Sequence, residues 1–219
     1  QPTAVQKGKA DFLSAADLLW LFVIGAFLGD MVETVFCRLT AGVWMSRSSL
    51  VWGPFSVVWG LALAMATVLL RQNQDKSDRY LFAFGTVLGG VYEYVCSAVT
   101  ELLFGTVFWD YSSIPFNLGG RINLLYCFFW GFAAVAWFKG LYPVLARWIA
   151  KIPARPGKLL VWALTVFMAV NMAFSAAALT RYSQRAAGEP ADQPWQVWMD
   201  EHYNDDVMYR IYPYAKMTD

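Results

Sequence analysis

The chain has 219 residues, of which 58% are hydrophobic, 17% aromatic and 15% charged, and its net charge is +1. Charged residues fall well short of the roughly one quarter found in an average soluble chain. There is no basic field for nucleic acid and no acidic tail, so the class is an all-α, polytopic membrane protein of one domain's length.

Residues 1–11 are polar and carry Lys7 and Lys9. No cleavable signal peptide is evident, and the missing initiator Met points to a trimmed N-terminus. A membrane-spanning helix needs on the order of 20 apolar residues. Five segments meet that length: about 12–37, 50–70, 80–104, 122–145 and 159–179. Together they make a five-helix transmembrane domain over residues 1–180, and residues 181–219 form a polar, amphipathic tail outside the membrane. Nine Lys and Arg flank the N-terminal side of the spans and five the other, which predicts a cytoplasmic N-terminus and an extracytoplasmic tail. No repeat at solenoid periods and no inverted repeat is evident.

Carboxylates interrupt the apolar pattern, and inside a membrane these are costly. Asp30, Glu33 and Cys37 share one face of the first span at i, i+3 and i+7. In the third, Gly85, Gly89, Glu93, Ser97 and Glu101 recur every four residues and form a single small-and-polar stripe. Gly85 and Gly89 permit close approach of another helix and suggest self-association through that face. Glu93 lies about 20 Å into its helix, just past the midplane. A buried charge needs a partner. Arg121 with one or two of Glu33, Glu93 and Glu101 is the economical pairing; Asn123 opens the fourth span beside Arg121 and Arg47 precedes the second, so the acids and their partners gather in the outer half of the bilayer. Two readings of this cluster stay open: an ion-pair network fixing helix register, and a cavity open to the outer side that binds a polar or cationic ligand or relays protons. A carboxyl kept neutral by desolvation is a third.

Between the third and fourth spans runs WDYSSIPFNLGG. Trp109 and Tyr111 suit an interface, Asp110, Ser112 and Asn117 form turns and caps, and Pro115 stiffens the middle. This loop is expected to act as a lid over Glu101 and Arg121, or as a re-entrant segment lining a cavity. Cys37, Cys96 and Cys127 read as small buried hydrophobes. No P-loop, HExxH or GxSxG is present, and the one histidine, His202, lies in the tail. No cofactor and no metal site are expected. The tail should lie on the bilayer surface or fold back on the loops.

These residues resemble a family of bacterial membrane proteins known as ABC-transporter type IV permeases (CmpB-like). The likeness is carried by GxxxEYxxSxxxExxFGxxxWDYSxxPFNLxGRIxL over Gly89–Leu124. FLGxxxET over Phe27–Thr34, RSSLxWGP over Arg47–Pro54 and the closing MDEHYNDDVMYRIYP add to it. One departure is Asp30, where such sequences usually carry an aromatic. The resemblance implies transport at the bacterial cytoplasmic membrane, with a separate ATPase subunit as partner, and brings no functional residues with it. The leading expectation is a permease-like protein that binds or translocates a small polar or cationic solute through a charged cavity in the outer half of the bilayer, lined by Glu33, Glu93, Glu101 and Arg121. The alternatives are an intramembrane enzyme acting on a lipid headgroup and a structural subunit of a membrane complex.

Overall fold

A computed structural model describes residues 13–217, and 72% of the described residues are helical. Lys7, Lys9 and the expected start of the first span at residue 12 lie outside the described residues. Helix α1 spans Ala15–Ala41. Ser14 opens it with a capping box, accepting from Asp17 N–H while Asp17 accepts from Ser14 N–H. Gly42 ends it in the left-handed conformation, φ 75°. Helix α2 covers Val57–Leu70 and is followed by a 3-10 turn, Arg71–Asn73. Helix α3 covers Asp78–Phe104, with Ser77 as N-cap and Gly105 as its left-handed stop. Helix α4 covers Leu124–Lys151, opened by Asn123. One wide π turn at Trp137–Leu141 interrupts α4 just before Pro143, whose missing N–H leaves the normal ladder incomplete there. Helix α5 covers Ala154–Ala186, and two short helices follow, α6 at Pro194–His202 and α7 at Asp205–Ile211.

Four of these, α1, α3, α4 and α5, are long and apolar enough to cross a membrane. The expected second span is shorter than the sequence suggested. Its first seven residues, 50–56, are not helical, and the remaining 14-residue α2 is about 21 Å long at 1.5 Å per residue. The physical reason is the Gly53–Pro54 turn. Gly53 has φ 80°, and the chain there folds into a loop whose centre is Ser48. Ser48 Oγ sits 2.9–3.1 Å from the carbonyl oxygens of Leu50, Gly53 and Phe55. This loop packs against α5, whose buried Asn171 and Ser175 meet its peptide groups: Val51 N–H donates to Ser175 Oγ, and Trp52 exchanges both its N–H and C=O with Asn171. Irregular backbone among apolar helices is stable when the protein itself supplies such partners.

Helix α1 packs on α2, and α3 on α4, in the same way. A methyl group added at Gly25 would meet Leu63 and Gly60, and one at Gly85 would meet Ala134 and Gly131. Gly29 lies under Trp59, and Gly89 under Trp130. Gly60 sits against Phe22 and Ala26, while Gly131 sits against Phe82 and Thr86. The residues of α1 and α3 in these contacts correspond at a constant offset of 60 positions. The chain therefore contains a direct repeat of two helical hairpins, which neither a solenoid period nor an inverted pattern reveals. The Gly85–Gly89 face, expected to receive a neighbouring helix or a second copy, holds α4 of the same chain.

The loops after α1 and α3 and the segment after α5 all gather at one end. The segment after α5 closes over the loops. Met199, Met208 and Tyr212 are buried against Leu179 and Ala178, with Val51, Phe104 and Phe108 around them. The short strand Thr106–Val107 pairs antiparallel with Lys216–Met217, and Tyr212 OH donates to Ser49 O at 3.0 Å. Arg181 holds both oxygens of Asp200 at 2.8–2.9 Å, and Arg185 bridges Asp200 and Asp205. The fold-back expected of the tail is therefore onto the loops. At the opposite end Leu21, Leu70, Leu81, Trp137 and Phe138 form a second buried cluster.

Candidate functional site

The acidic residues of the spans do not form one cluster but three neighbouring stations. In the first hairpin, Glu33 Oε1 accepts from Arg47 Nε at 2.8 Å and from Arg47 Nη2, and Oε2 accepts from Trp59 Nε1 at 3.0 Å. Arg47 reaches α1 from the loop that Ser48 organises, and its guanidinium also lies 5.0 Å from the Tyr214 ring.

In the second hairpin the corresponding carboxyl, Glu93, is held differently. Oε1 accepts from Tyr111 OH at 2.8 Å and Oε2 from Trp130 Nε1 at 3.0 Å. Glu93 is 6% exposed and forms no ion pair among the described residues. Tyr111 is the residue by which the WDYS loop reaches inward, and it stacks on Tyr126 at 4.6 Å. Burial first, then the carboxylate beside it, push the Tyr111 phenol far above its usual range. Tyr111 therefore stays a donor.

The third station is Arg121 with Glu101. Arg121 Nη2 binds Glu101 Oε2, Nη1 donates to Ser97 Oγ at 3.1 Å, and the guanidinium lies 5.8 Å from the Tyr94 ring. The hydrogen bond to Glu101 holds the Arg121 pKa above its ordinary value. The expected pairing is thus narrower than proposed: Arg121 meets Glu101, Arg47 takes Glu33, and Glu93 has only neutral donors. Length explains the partition, because Glu101 is two helical turns beyond Glu93 and level with the start of α4.

The loop residues are mostly structural to the loop. Asn117 Nδ2 donates to the carbonyls of Ser112 and Ile114, and Gly120 N–H donates to Asn117 Oδ1. Gly119 and Gly120, both at positive φ, turn the Asn117–Leu118 strand back onto Ile122–Asn123. Asn123 caps α4 and ties Pro115 O at 2.6 Å. Trp109 Nε1 donates to Arg121 O at 2.9 Å. Asp110 accepts from Ser112 and from Lys216 of the tail, and these bonds lower its pKa to about 2.

Asp30, one turn deeper than Glu33, stands apart. It is 2% exposed, and its Oδ1 is buried without a hydrogen-bond partner among the described residues. The residues missed by sequence reasoning are Trp59 and Trp130, which link the stations. Their rings meet at 4.8 Å between centroids, so Glu33, Trp59, Trp130 and Glu93 form a continuous bridge between the hairpins. The available signal was a GxxxGxxxE followed by a Trp-Gly pair, occurring twice.

A family model described as "Putative ABC-transporter type IV" matches residues 20–176, which takes in both hairpins, all three stations and most of α5. The chain belongs to this family. Comparison with curated proteins and with solved structures gave no match. Membership of the type IV family, together with four helices long and apolar enough to cross a membrane, makes this a membrane protein related to transport.

Proposed function

We propose that this chain is the membrane-embedded part of a transport system and handles a small polar or cationic solute at its loop-rich end. The observation that carries the reading is Glu93. It is a buried carboxyl at the seam between two repeated hairpins, held by two neutral donors and matched by no basic side chain among the described residues. Its counterpart Glu33 has its charge met by Arg47. A bound cation or a proton at Glu93 would restore the balance in an apolar setting. Tyr111 ties this carboxyl to the WDYS loop, so movement of the loop would open the site. In this reading α2 with its preceding loop makes a fifth pass, and the N-terminus is cytoplasmic. The loop-rich end with residues 181–219 faces outward from a bacterial cytoplasmic membrane. A separate ATPase subunit would supply the energy, since no P-loop is present here.

The competing reading, a network that only holds the hairpins together, draws on the closed Arg47–Glu33 and Arg121–Glu101 pairs. Thiol labelling separates the two. In a variant with Cys37, Cys96 and Cys127 replaced by Ala, Ser97→Cys is expected to react with a membrane-impermeant cationic thiol reagent applied from outside to right-side-out vesicles. Tyr111→Phe, which frees the loop from Glu93, should speed that reaction. No reaction in either background defeats the solute reading and leaves the structural one.

A further inference from the structure

Asp30 lines a cleft of about 410 Å³ between α1 and the 44–54 loop, together with Met31, Thr34, Trp44, Met45 and Ser46. Glu33, one turn above, takes Arg47, the arginine nearest Asp30 in this loop, by two hydrogen bonds to one oxygen. The other basic group at the rim, Arg38, donates to Gly42 O and lies 5.8 Å from the Trp44 ring. Asp30 therefore makes no ion pair among the described residues, Arg47 acts on it only at longer range, and one of its oxygens is sealed from the solvent with nothing to bond.

The walls narrow the kind of cation. A hard metal ion is held by six or more oxygens in the common cases, or by a set of acidic and imidazole ligands. Among the described residues no three His, Cys, Asp or Glu side chains gather in that way. What the cleft offers is one carboxylate, the hydroxyls of Thr34 and Ser46, an indole and two thioethers. Indole faces attract organic cations, and thioethers adapt to their methylene groups. We infer that the Asp30 cleft binds the cationic nitrogen of an ammonium compound, with Asp30 as its counter-ion. The nitrogen belongs either to a soluble amine or to the ethanolamine headgroup of a lipid. This names a ligand class for the solute reading above and rests on that reading only for its physiological purpose, because binding is measured independently of movement.

The test uses the full chain in a nonionic detergent and in nanodiscs of pure phosphatidylglycerol, with ethanolamine hydrochloride as probe and thermal unfolding and calorimetry as readouts. Wild type is expected to show saturable stabilisation by ethanolamine that sodium chloride at equal ionic strength does not give. Asp30→Asn removes a buried charge without changing volume, so it should fold, melt no lower than wild type without probe, and bind ethanolamine at least tenfold more weakly. Trp44→Ala should weaken binding several-fold and guards against a folding defect at position 30. If nanodiscs containing phosphatidylethanolamine stabilise the protein and abolish the response to the free amine, the headgroup is the ligand; if they do not, it is a soluble amine. An absent response to both sources in wild type, an equal response in Asp30→Asn, or an equal effect of sodium overturns the inference. Should Ser97→Cys label while ethanolamine fails to bind, the ammonium site falls and the solute reading stands.

Discussion

Trp59 and Trp130 meet at 4.8 Å between ring centroids, and each donates its indole N–H at 3.0 Å to the glutamate of its own hairpin. The two carboxyls differ in what else holds them. Glu33 has Arg47, whereas Glu93 has only Tyr111. The same substitution should therefore cost different amounts in the two hairpins. Trp130→Phe leaves one oxygen of a buried carboxyl without a donor, at about 1–3 kcal/mol. Trp59→Phe leaves Glu33 still ion-paired and, at 26% side-chain exposure, partly solvated, at about 1 kcal/mol or less. Thermal unfolding in detergent should rank wild type above Trp59→Phe and Trp59→Phe above Trp130→Phe. Equal losses would mean that ring stacking, not the indole hydrogen bond, dominates the bridge.

The glycines that let these rings approach permit a second comparison. A methyl at Gly89 would lie 2.3 Å from Trp130 Cβ, whereas one at Gly140 would meet nothing within 4 Å. Overpacking of a tight contact costs about 1–3 kcal/mol. Gly140→Ala should instead be neutral or stabilising by up to about 1 kcal/mol, since alanine is the better helix former. Gly89→Ala should thus lower the melting temperature while Gly140→Ala does not. The decisive check is their difference, measured in one detergent.

The helices and their stripe of small and acidic residues were legible because membrane spans write their length and polar interruptions directly into the chain. Glu93, Ser97 and Glu101 fall on one face as spacing by four requires. Ion-pair partners were less legible. Several arginines lie near the same level, and only the loop path decides that Arg47 meets Glu33 while Arg121 meets Glu101. Trp59 and Trp130 were hidden by abundance, because 11 tryptophans make each look like an interfacial anchor. The shortened α2 was hidden for another reason. Its upstream residues are as apolar as a span, and only Asn171, 119 positions away, supplies the peptide partner that lets them leave the helix.

That long-range contact yields a third prediction. Asn171 is fully buried and serves both the N–H and the C=O of Trp52. Asn171→Leu keeps the branching pattern but removes both polar atoms and orphans two backbone groups, each costing about 1–3 kcal/mol when buried. The 44–56 loop should lose its attachment to α5 before the helices unfold. Hydrogen exchange should show protection falling at Val51 and Trp52 with little change in α3 and α4. A uniform fall across all helices would mean that the loop and the bundle unfold as one unit.

The attachment of the tail should depend on pH through Asp200 and Asp110, both outside the spanning helices. The hydrogen bond from Arg181 is the main reason that the Asp200 pKa falls from 3.8 to about 2, with Arg185 adding to it. Asp110 falls to about 2 through Ser112 and then Lys216. A carboxyl whose pKa is lowered in the folded state stabilises that state above its unfolded pKa and loses this contribution as pH drops through the folded value. The tail should therefore stay docked from neutral pH to about 4 and release as pH falls from there toward 2. Asp200→Asn should loosen it already at pH 7 and flatten the acid dependence. Limited proteolysis between Ala186 and Pro194, followed across that pH range, reads the release directly. Cleavage that rises equally in wild type and Asp200→Asn would assign the transition to other carboxylates, because in the variant no charge remains at position 200 for acid to remove.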